Sequence, residues 1–374
     1  MKIAIIHDWL PYVGGAERAL ACMLELFPNA TLYTSVYNKK KMGDYFKGVD
    51  IRTSFIDHLP FGKTKHSIYL NLMPYAFEQF DLRGYDVVLS SSTSCAKGVL
   101  TDAKTLHICY CNTPMRYAWD FYFDYLCKSN NPIRKVLIHF LMHKIRLWDV
   151  LSANRVDYFI ANSHNVERRI RKHYRRAADV IYPPVSVQKN ILSVPAEGSY
   201  YLVVSRLVSY KRVDLAVQAF NQLNLPLLVV GEGPEKKNLE KQAKPNIRFV
   251  GRASDEEVAE YYQQCKAFIF PGEEDFGITP VEAQSYGKPV IAYGQGGALE
   301  TVIDGVTGIF FREHTAEALV DAIKKAEEIS FDIHKIHQNA MHFDVEVFKT
   351  NLSQLIEQKY ALFHENHDKM VERK

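Results

Sequence analysis

A short apolar run that stops dead at Pro-Gly and restarts as a helix sets the terms for this chain. In the stretch Phe268–Pro289, FIFPGEEDFGITPVEAQSYGKP, a strand ends at Phe270 and Pro271-Gly272 turns the backbone. A new helix then begins. Thr279 fits an N-cap, Pro280 fits the first helical position, and Glu282 completes a capping box three residues on. Glu274 lies in the loop and Glu282 in the first turn, seven residues intervening. Both carboxylates can therefore border one cavity at the carboxyl end of a strand, where an open α/β sheet binds ligand. The amides of Gly277, Ile278 and Thr279 would face an anion lodged there. A capping box and a solvated loop acid explain the same two glutamates, and only the remaining chain separates these readings.

That chain repeats the unit. Apolar runs predict strands at Lys2–His7, Thr31–Tyr37, Val87–Ser90, Leu106–Cys111 and Tyr158–Ala161, with helical stretches between them. The series restarts at Tyr200–Val204 and continues through Leu227–Val230, Ile247–Val250, Val290–Tyr293 and Thr307–Phe311. Buried strands alternating with helices predict parallel sheets covered on both faces, an α/β class of Rossmann type. At 374 residues the chain exceeds one ordinary core, so two domains are expected. Pro183-Pro184 cannot continue a helix and marks the boundary. The expected division is 1–182, 183–344, and a helical tail over 345–374, apolar at Val347, Phe348, Leu352, Leu355 and Tyr360, whose last residues fray.

Several loops at predicted carboxyl ends carry chemistry. The first strand leads through Gly14-Gly15 into a helix from about Ala16 to Phe27, a possible phosphate cradle or a simple turn. The strand at Leu106 runs into CYCNTPMRYAWD, placing Asn112, Thr113, Arg116 and Trp119 just past its end; Asn-Thr-Pro also makes an ordinary loop entry. Tyr200–Val204 is followed by SRLVSYKRVD, in which Arg206 and Lys211 bracket the turn before a helix from about Asp214. Gly251 closes the strand at Ile247 and is either a turn residue or a point of close approach.

Charge and cysteine usage narrow the function classes. A net charge of +3 does not imply nucleic acid, and no nucleic-acid motif accompanies the basic residues. Those residues cluster instead. Arg134, Lys135, His139, Lys144 and Arg146 interleave with an apolar helical stripe at Ile133, Val136, Leu137, Phe140, Leu141, Trp148 and Leu151. Arg168, Arg169, Arg171, Lys172, Arg175 and Arg176 follow downstream. Such a pattern suits an anionic membrane surface or a solvated face. Six cysteines without a Cys-x-x-Cys pair favour neither zinc nor a disulfide framework, and fit a reducing cytoplasm. The apolar run after Met1-Lys2 is too short for a signal peptide, and no run reaches the roughly 18 residues that span a bilayer.

Taken together, the Glu274-x7-Glu282 pair enclosing Phe276-Gly277, the Gly14-Gly15 loop, the Arg206 and Lys211 spacing and the Thr-Pro-Met-Arg-Tyr segment resemble the retaining family-4 glycosyltransferases of the two-Rossmann (GT-B) fold. The resemblance covers nearly the whole chain. It implies two Rossmann-like domains about a cleft, an acceptor-binding first domain, a nucleotide-sugar-binding second domain and a terminal helix crossing back to the first. Glu282 would hold the donor ribose and Glu274 the transferred sugar. Arg206 and Lys211 would hold the diphosphate without a metal, helped by Gly14, Gly15 and Ile278, with the backbone at Gly251 near the base. The sequence has no Asp-x-Asp motif of the metal-dependent enzymes. The Thr113–Tyr117 segment is similar to that of mannosyltransferases assembling O-antigen and exopolysaccharide, which implies GDP-mannose as donor and a lipid-linked saccharide as acceptor at the inner face of the cell membrane. A UDP-sugar is the alternative donor. A sugar-nucleotide epimerase and a non-catalytic donor-binding protein are the alternatives in kind, the last because Asn112 stands where related enzymes generally carry His.

Overall fold

The computed structural model describes residues 1–127, 131–189 and 198–371, and divides the chain into two compact units, Met1–Tyr182 with Phe348–Lys374, and Pro183–Val347. In the first unit seven strands form one sheet: β1 (Ile3–His7), β2 (Thr31–Thr34), β3 (Ile51–Thr53), β4 (Val87–Ser92), β5 (Leu106–Cys111), β6 (Tyr158–Ala161) and β7 (Ala178–Val180). Their order is β3-β2-β1-β4-β5-β6-β7 and every pairing is parallel. The second unit holds β8 (Tyr200–Val204), β9 (Leu227–Val230), β10 (Ile247–Gly251), β11 (Cys265–Phe270), β12 (Val290–Tyr293) and β13 (Gly308–Phe311), all parallel in the order β10-β9-β8-β11-β12-β13.

Both units are Rossmann-like. Each sheet starts in its middle and reverses direction of growth there, at β1/β4 and at β8/β11. Such a reversal opens a crevice beyond the strands' carboxyl ends because successive crossovers leave on opposite faces.

The strands sit where their apolar residues can be buried twice over. Along β8, Tyr201 and Val203 join one core cluster while Leu202 joins the other. Along β11, Ala267 and Ile269 face one way, Phe268 and Phe270 the other. Side chains alternate across a pleated strand, so a strand covered on both faces must be apolar throughout. Each fully buried residue such as Phe268 or Ile269 contributes about 1.5–3 kcal/mol.

Several boundaries move. The strand expected over Thr31–Tyr37 stops at Thr34, because Ser35 and the residues after it turn back on Asp8 and Leu10. The strand expected over Val87–Ser90 continues to Ser92 through buried serines. The helix after the glycine pair spans Gly15–Leu26. The strand expected from Thr307 begins at Gly308. The terminal helix runs from Val345 to Val371, longer than its apolar pattern, while 372–374 lie outside the described residues. Its Phe348 packs edge-on against Tyr110 at 5.7 Å, and Lys349 and Lys359 pair with Glu25 and Asp179 of the first unit.

Candidate active site

The second unit gathers its charged residues at the β8/β11 reversal. Past β8, Arg206 is exposed and a 3-10 turn, Ser209–Lys211, leads to Arg212 in the left-handed region at φ 52°. Arg212 is fixed by its fork on Asp214 at 3.1 Å and by His314 at 3.2 Å, so it anchors the helix Val213–Leu223 and leaves Lys211 to point elsewhere. Lys211 Nζ forms an ion pair with Glu274 in the loop past β11. Two residues 63 apart in sequence, named separately from their own motifs, meet here. Both side chains are partly shielded, at 15% and 22% exposed.

That meeting depends on backbone approach. A Cβ on Gly272 would lie 2.8 Å from the Lys211 Cα and carbonyl oxygen, so a larger residue would push the two loops apart. On the other side of the loop, the Gly297 amide donates to the Glu274 carbonyl at 2.8 Å. Gly296, at φ 62°, has no room for a side chain, since its Cβ would be 2.4 Å from that carbonyl. His314 donates through Nε2 to the Pro271 carbonyl, 2.9 Å away, while its ring stacks on Tyr293 at 4.1 Å. Gly272, Gly296, Gly297 and His314 thus position Glu274. The sequence marks the glycines as turns, but not what they let approach.

The helix carrying Glu282 is not capped as expected. It spans Ile278–Ser285, and its N-cap is Gly277 at φ 89°, with no side-chain capping bond. Thr279 and Pro280 therefore occupy the second and third helical positions, and Glu282 the fifth. The capping-box explanation of Glu282 fails on this geometry. The carboxylate instead accepts from the Tyr262 hydroxyl at 3.0 Å, and Tyr262 is itself stacked on Tyr286 at 5.7 Å. Phe276 is buried against Phe343 at 5.4 Å. The amides of Ile278 and Thr279 come too early in the helix for an intrahelical carbonyl. Gly251, at φ 84°, accepts through its carbonyl from the Gly231 amide at 2.8 Å, and a Cβ there would meet Glu232.

In the first unit, Gly14 is the extended N-cap and Gly15 the first residue of its helix. Beneath them the buried His7 and Glu17 approach to 3.5 Å. Asn112 is buried at the end of β5, where its side-chain amide donates to Ser91 Oγ at 3.2 Å. The Arg116 guanidinium lies over the Phe121 ring at 4.3 Å. Trp119 turns inward: its indole donates to Asp149 at 2.8 Å and stacks on His173. Asp149 also accepts from Lys97 and Tyr174, so Trp119 belongs to a buried ionic network. Burial alone would discharge Lys97, but the adjacent Asp149 carboxylate holds its pKa above the usual lysine value.

Two sets of contacts here had no local signal. Asp8, past β1, accepts from the amides of Thr93, Ser94, Cys95 and Ala96, which lie 85 to 88 residues away. Arg169 reaches Thr113 Oγ1 and Asp120, both at 3.4 Å. Part of the expected basic surface is likewise turned inward. Arg176 donates to the carbonyls of Ala153, Val156 and Asp157, while Arg168 stays exposed beside Asn165. Among the described residues no group of three or more His, Cys, Asp or Glu could hold a metal, and no helix is long and apolar enough to cross a membrane.

Residues 186–343, nearly all of the second unit, match the family model for glycosyl transferases group 1. An uncharacterized glycosyltransferase, MJ1178, of Methanocaldococcus jannaschii is 30% identical over 172 residues, covering 45% of this chain and 48% of the relative. The chain thus spans about half the length of that relative. The alpha-1,3/1,6-mannosyltransferase ALG2 of Dictyostelium discoideum is 26% identical over 82% of this chain and 85% of its own. A GDP-mannose-dependent alpha-mannosyltransferase of Corynebacterium glutamicum is 36% identical over 107 residues, 28% of this chain and 26% of the relative. Among solved structures, HepE of Anabaena in complex with UDP superimposes with a TM-score of 0.69 at 19% identity, covering 96% of this chain and 100% of that one. At that identity the likeness is one of fold, and the fold is GT-B.

Proposed function

We propose that the chain is a retaining glycosyltransferase that moves mannose from GDP-mannose to a lipid-linked saccharide in the assembly of a surface polysaccharide. The observation that carries the reading is the Lys211–Glu274 pair at the β8/β11 reversal, inside the span that matches the group 1 glycosyl transferases. The mannosyl preference rests on the likeness to the two mannosyltransferases and on the Thr-Pro-Met-Arg-Tyr segment.

In this mechanism Lys211 and Arg206 bind the donor diphosphate. Arg presents a planar fork to two phosphate oxygens and Lys a mobile charge, and both gain as negative charge builds on the leaving group. Glu282, oriented by Tyr262, accepts from the ribose hydroxyls. Glu274, held through its own carbonyl by Gly297, meets the hydroxyls of the transferred sugar. The bond from the anomeric carbon to the phosphate oxygen breaks while the acceptor oxygen bonds to that carbon on the same face. The acceptor's proton passes to the departing phosphate. No ionisable side chain is then needed at Asn112, which holds its segment to β4 through Ser91.

The test is thermal denaturation with nucleotide sugars. A ligand that binds only the folded protein, at about 100 times its Kd, stabilises it by about 2.7 kcal/mol. For a unit of this size that raises Tm by about 5–10 °C. GDP-mannose is expected to do so. A shift with UDP-glucose alone would reassign the base, and no shift with any nucleotide sugar would overturn the proposal. Turnover of donor without an acceptor alcohol would favour an epimerase.

A further inference from the structure

The helix Pro132–Ala153 buries one face and leaves an apolar one exposed. Its inner face carries Ile145, Asp149, Ser152 and Ala153 into the first unit. On the opposite side Ile133, Val136, Leu137, Phe140, Leu147 and Leu151 follow the helical period, each between 53% and 79% exposed. The stripe extends about 27 Å at 1.5 Å per residue. Phe123, next to the Tyr122 ring that meets His139 of this helix, is 70% exposed. Isolated exposed apolar residues are ordinary, but six in one row on one helix are not.

Charge chooses among occupants. The helix bears Arg134, Lys135, Lys144 and Arg146, and its single acidic residue, Asp149, is fully buried in the Lys97 and Tyr174 network. Lys144 alone interrupts the exposed stripe, its ammonium resting over the Phe140 ring at 4.5 Å. A second copy of this face would oppose Lys144 to Lys144, with no exposed carboxylate on the helix to answer it. An anionic bilayer answers it fully. The acyl region takes the apolar row, headgroups take Arg134 on its flank, and Lys144 can bury its stem while its charge reaches the interface.

We infer that the outer face of Pro132–Ala153 is a docking surface for an anionic lipid bilayer, lying in the plane of the interface. The basic run Arg168–Arg176 is not needed for it. The same helix is joined to the 112–119 segment, since Asp149 accepts from Trp119 and the Arg146 guanidinium donates to the Ala118 carbonyl at 3.0 Å. Docking would therefore bring that segment to the membrane. Only this purpose rests on the lipid-linked acceptor proposed above; the surface stands on the helix itself.

The test uses the full chain in flotation with phosphatidylglycerol–phosphatidylcholine vesicles and with phosphatidylcholine vesicles alone. Binding is expected to the first, weakening as salt rises because the attraction is screened within a Debye length. Phe140→Glu combined with Leu147→Glu should weaken it at least tenfold with Tm unchanged, since both side chains are exposed. A single Phe140→Trp variant should show a blue-shifted emission difference on adding anionic vesicles. Undiminished binding by the double variant, or no binding of the wild type to either vesicle, would overturn the inference. So would a wild-type dimer in sedimentation without lipid that the double variant abolishes, because the occupant would then be a second copy. Failure of GDP-mannose to stabilise the wild type would sink the donor reading while leaving the vesicle result intact.

Discussion

If Lys211 binds the donor diphosphate as proposed, that diphosphate must compete with the Glu274 carboxylate already paired with it. Replacing that carboxylate by an amide, Glu274→Gln, removes the competitor and leaves the side-chain shape. Exposed ion pairs contribute up to about 1 kcal/mol, and breaking a fully buried one costs about 3–5 kcal/mol. At 15% and 22% exposed this pair lies between the two, and solvent screening still discounts it. About 1 kcal/mol is a reasonable value, equivalent to about fivefold in an equilibrium constant. Glu274→Gln should therefore bind GDP, which carries no sugar, about fivefold more tightly than wild type. Lys211→Met should bind it about 10- to 150-fold more weakly, through loss of a charge-assisted hydrogen bond of about 1.5–3 kcal/mol. Isothermal titration calorimetry with GDP reads both. In turnover, Glu274→Gln should still lower kcat, because its contact acts at the reacting sugar. GDP binding that is unchanged or weaker in Glu274→Gln would refute the reasoning, since the carboxylate would then be holding Lys211 in its working position.

Glu282→Gln should weaken donor binding by about 1.5–3 kcal/mol with little effect on kcat, and Tyr262→Phe should do the same more mildly by releasing the carboxylate; steady-state kinetics with GDP-mannose separates the two parameters. Treatment with EDTA should leave transfer nearly unchanged, and activity lost and then restored by manganese would show that Arg206 and Lys211 do not suffice. Burial pushes the His107 pKa down to about 4, against about 6.5 unfolded, its Nε2 lying 2.9 Å from Ser90 Oγ. As pH falls through that window the unfolded chain takes a proton the folded one refuses, so stability is present above 6.5 and drains by about 1.4 kcal/mol per pH unit. Urea unfolding at pH 7 and pH 5 should show wild type losing about 2 kcal/mol more than His107→Gln, and identical losses would rule the histidine out.

What the sequence discloses follows from what each residue's environment makes local. β5, β6, β8, β9 and β12 are legible to the residue, because strands buried on both faces are apolar end to end and stop at polar or glycine turns. β3 and β7 are not, since edge strands of three residues, Ile-Arg-Thr and Ala-Asp-Val, bury too little to leave a pattern. Thr279-Pro280 imitates a helix start because the same residues suit the first turn of a helix begun earlier; only the left-handed Gly277 decides, and φ is not written in composition. Lys211 and Glu274 are each legible, whereas their pairing is made by Gly272 admitting the Lys211 backbone. Trp119 reads as a loop residue at a strand end until Asp149, 30 positions on, claims its indole.

Asp8 has a consequence in time as well as in space. Its four amide partners become available only when β1 and β4 already lie side by side, and closing a chain loop of that length costs about 4 kcal/mol of entropy. Such a contact rewards the chain late, after the barrier that long-range parallel pairing imposes. Removing it should leave the refolding rate close to wild type and quicken unfolding, so that an Asp8→Ala chevron shifts chiefly on its high-denaturant limb. The carboxylate acts as a latch on a door that other forces swing shut: it sets how long the first unit stays folded once formed.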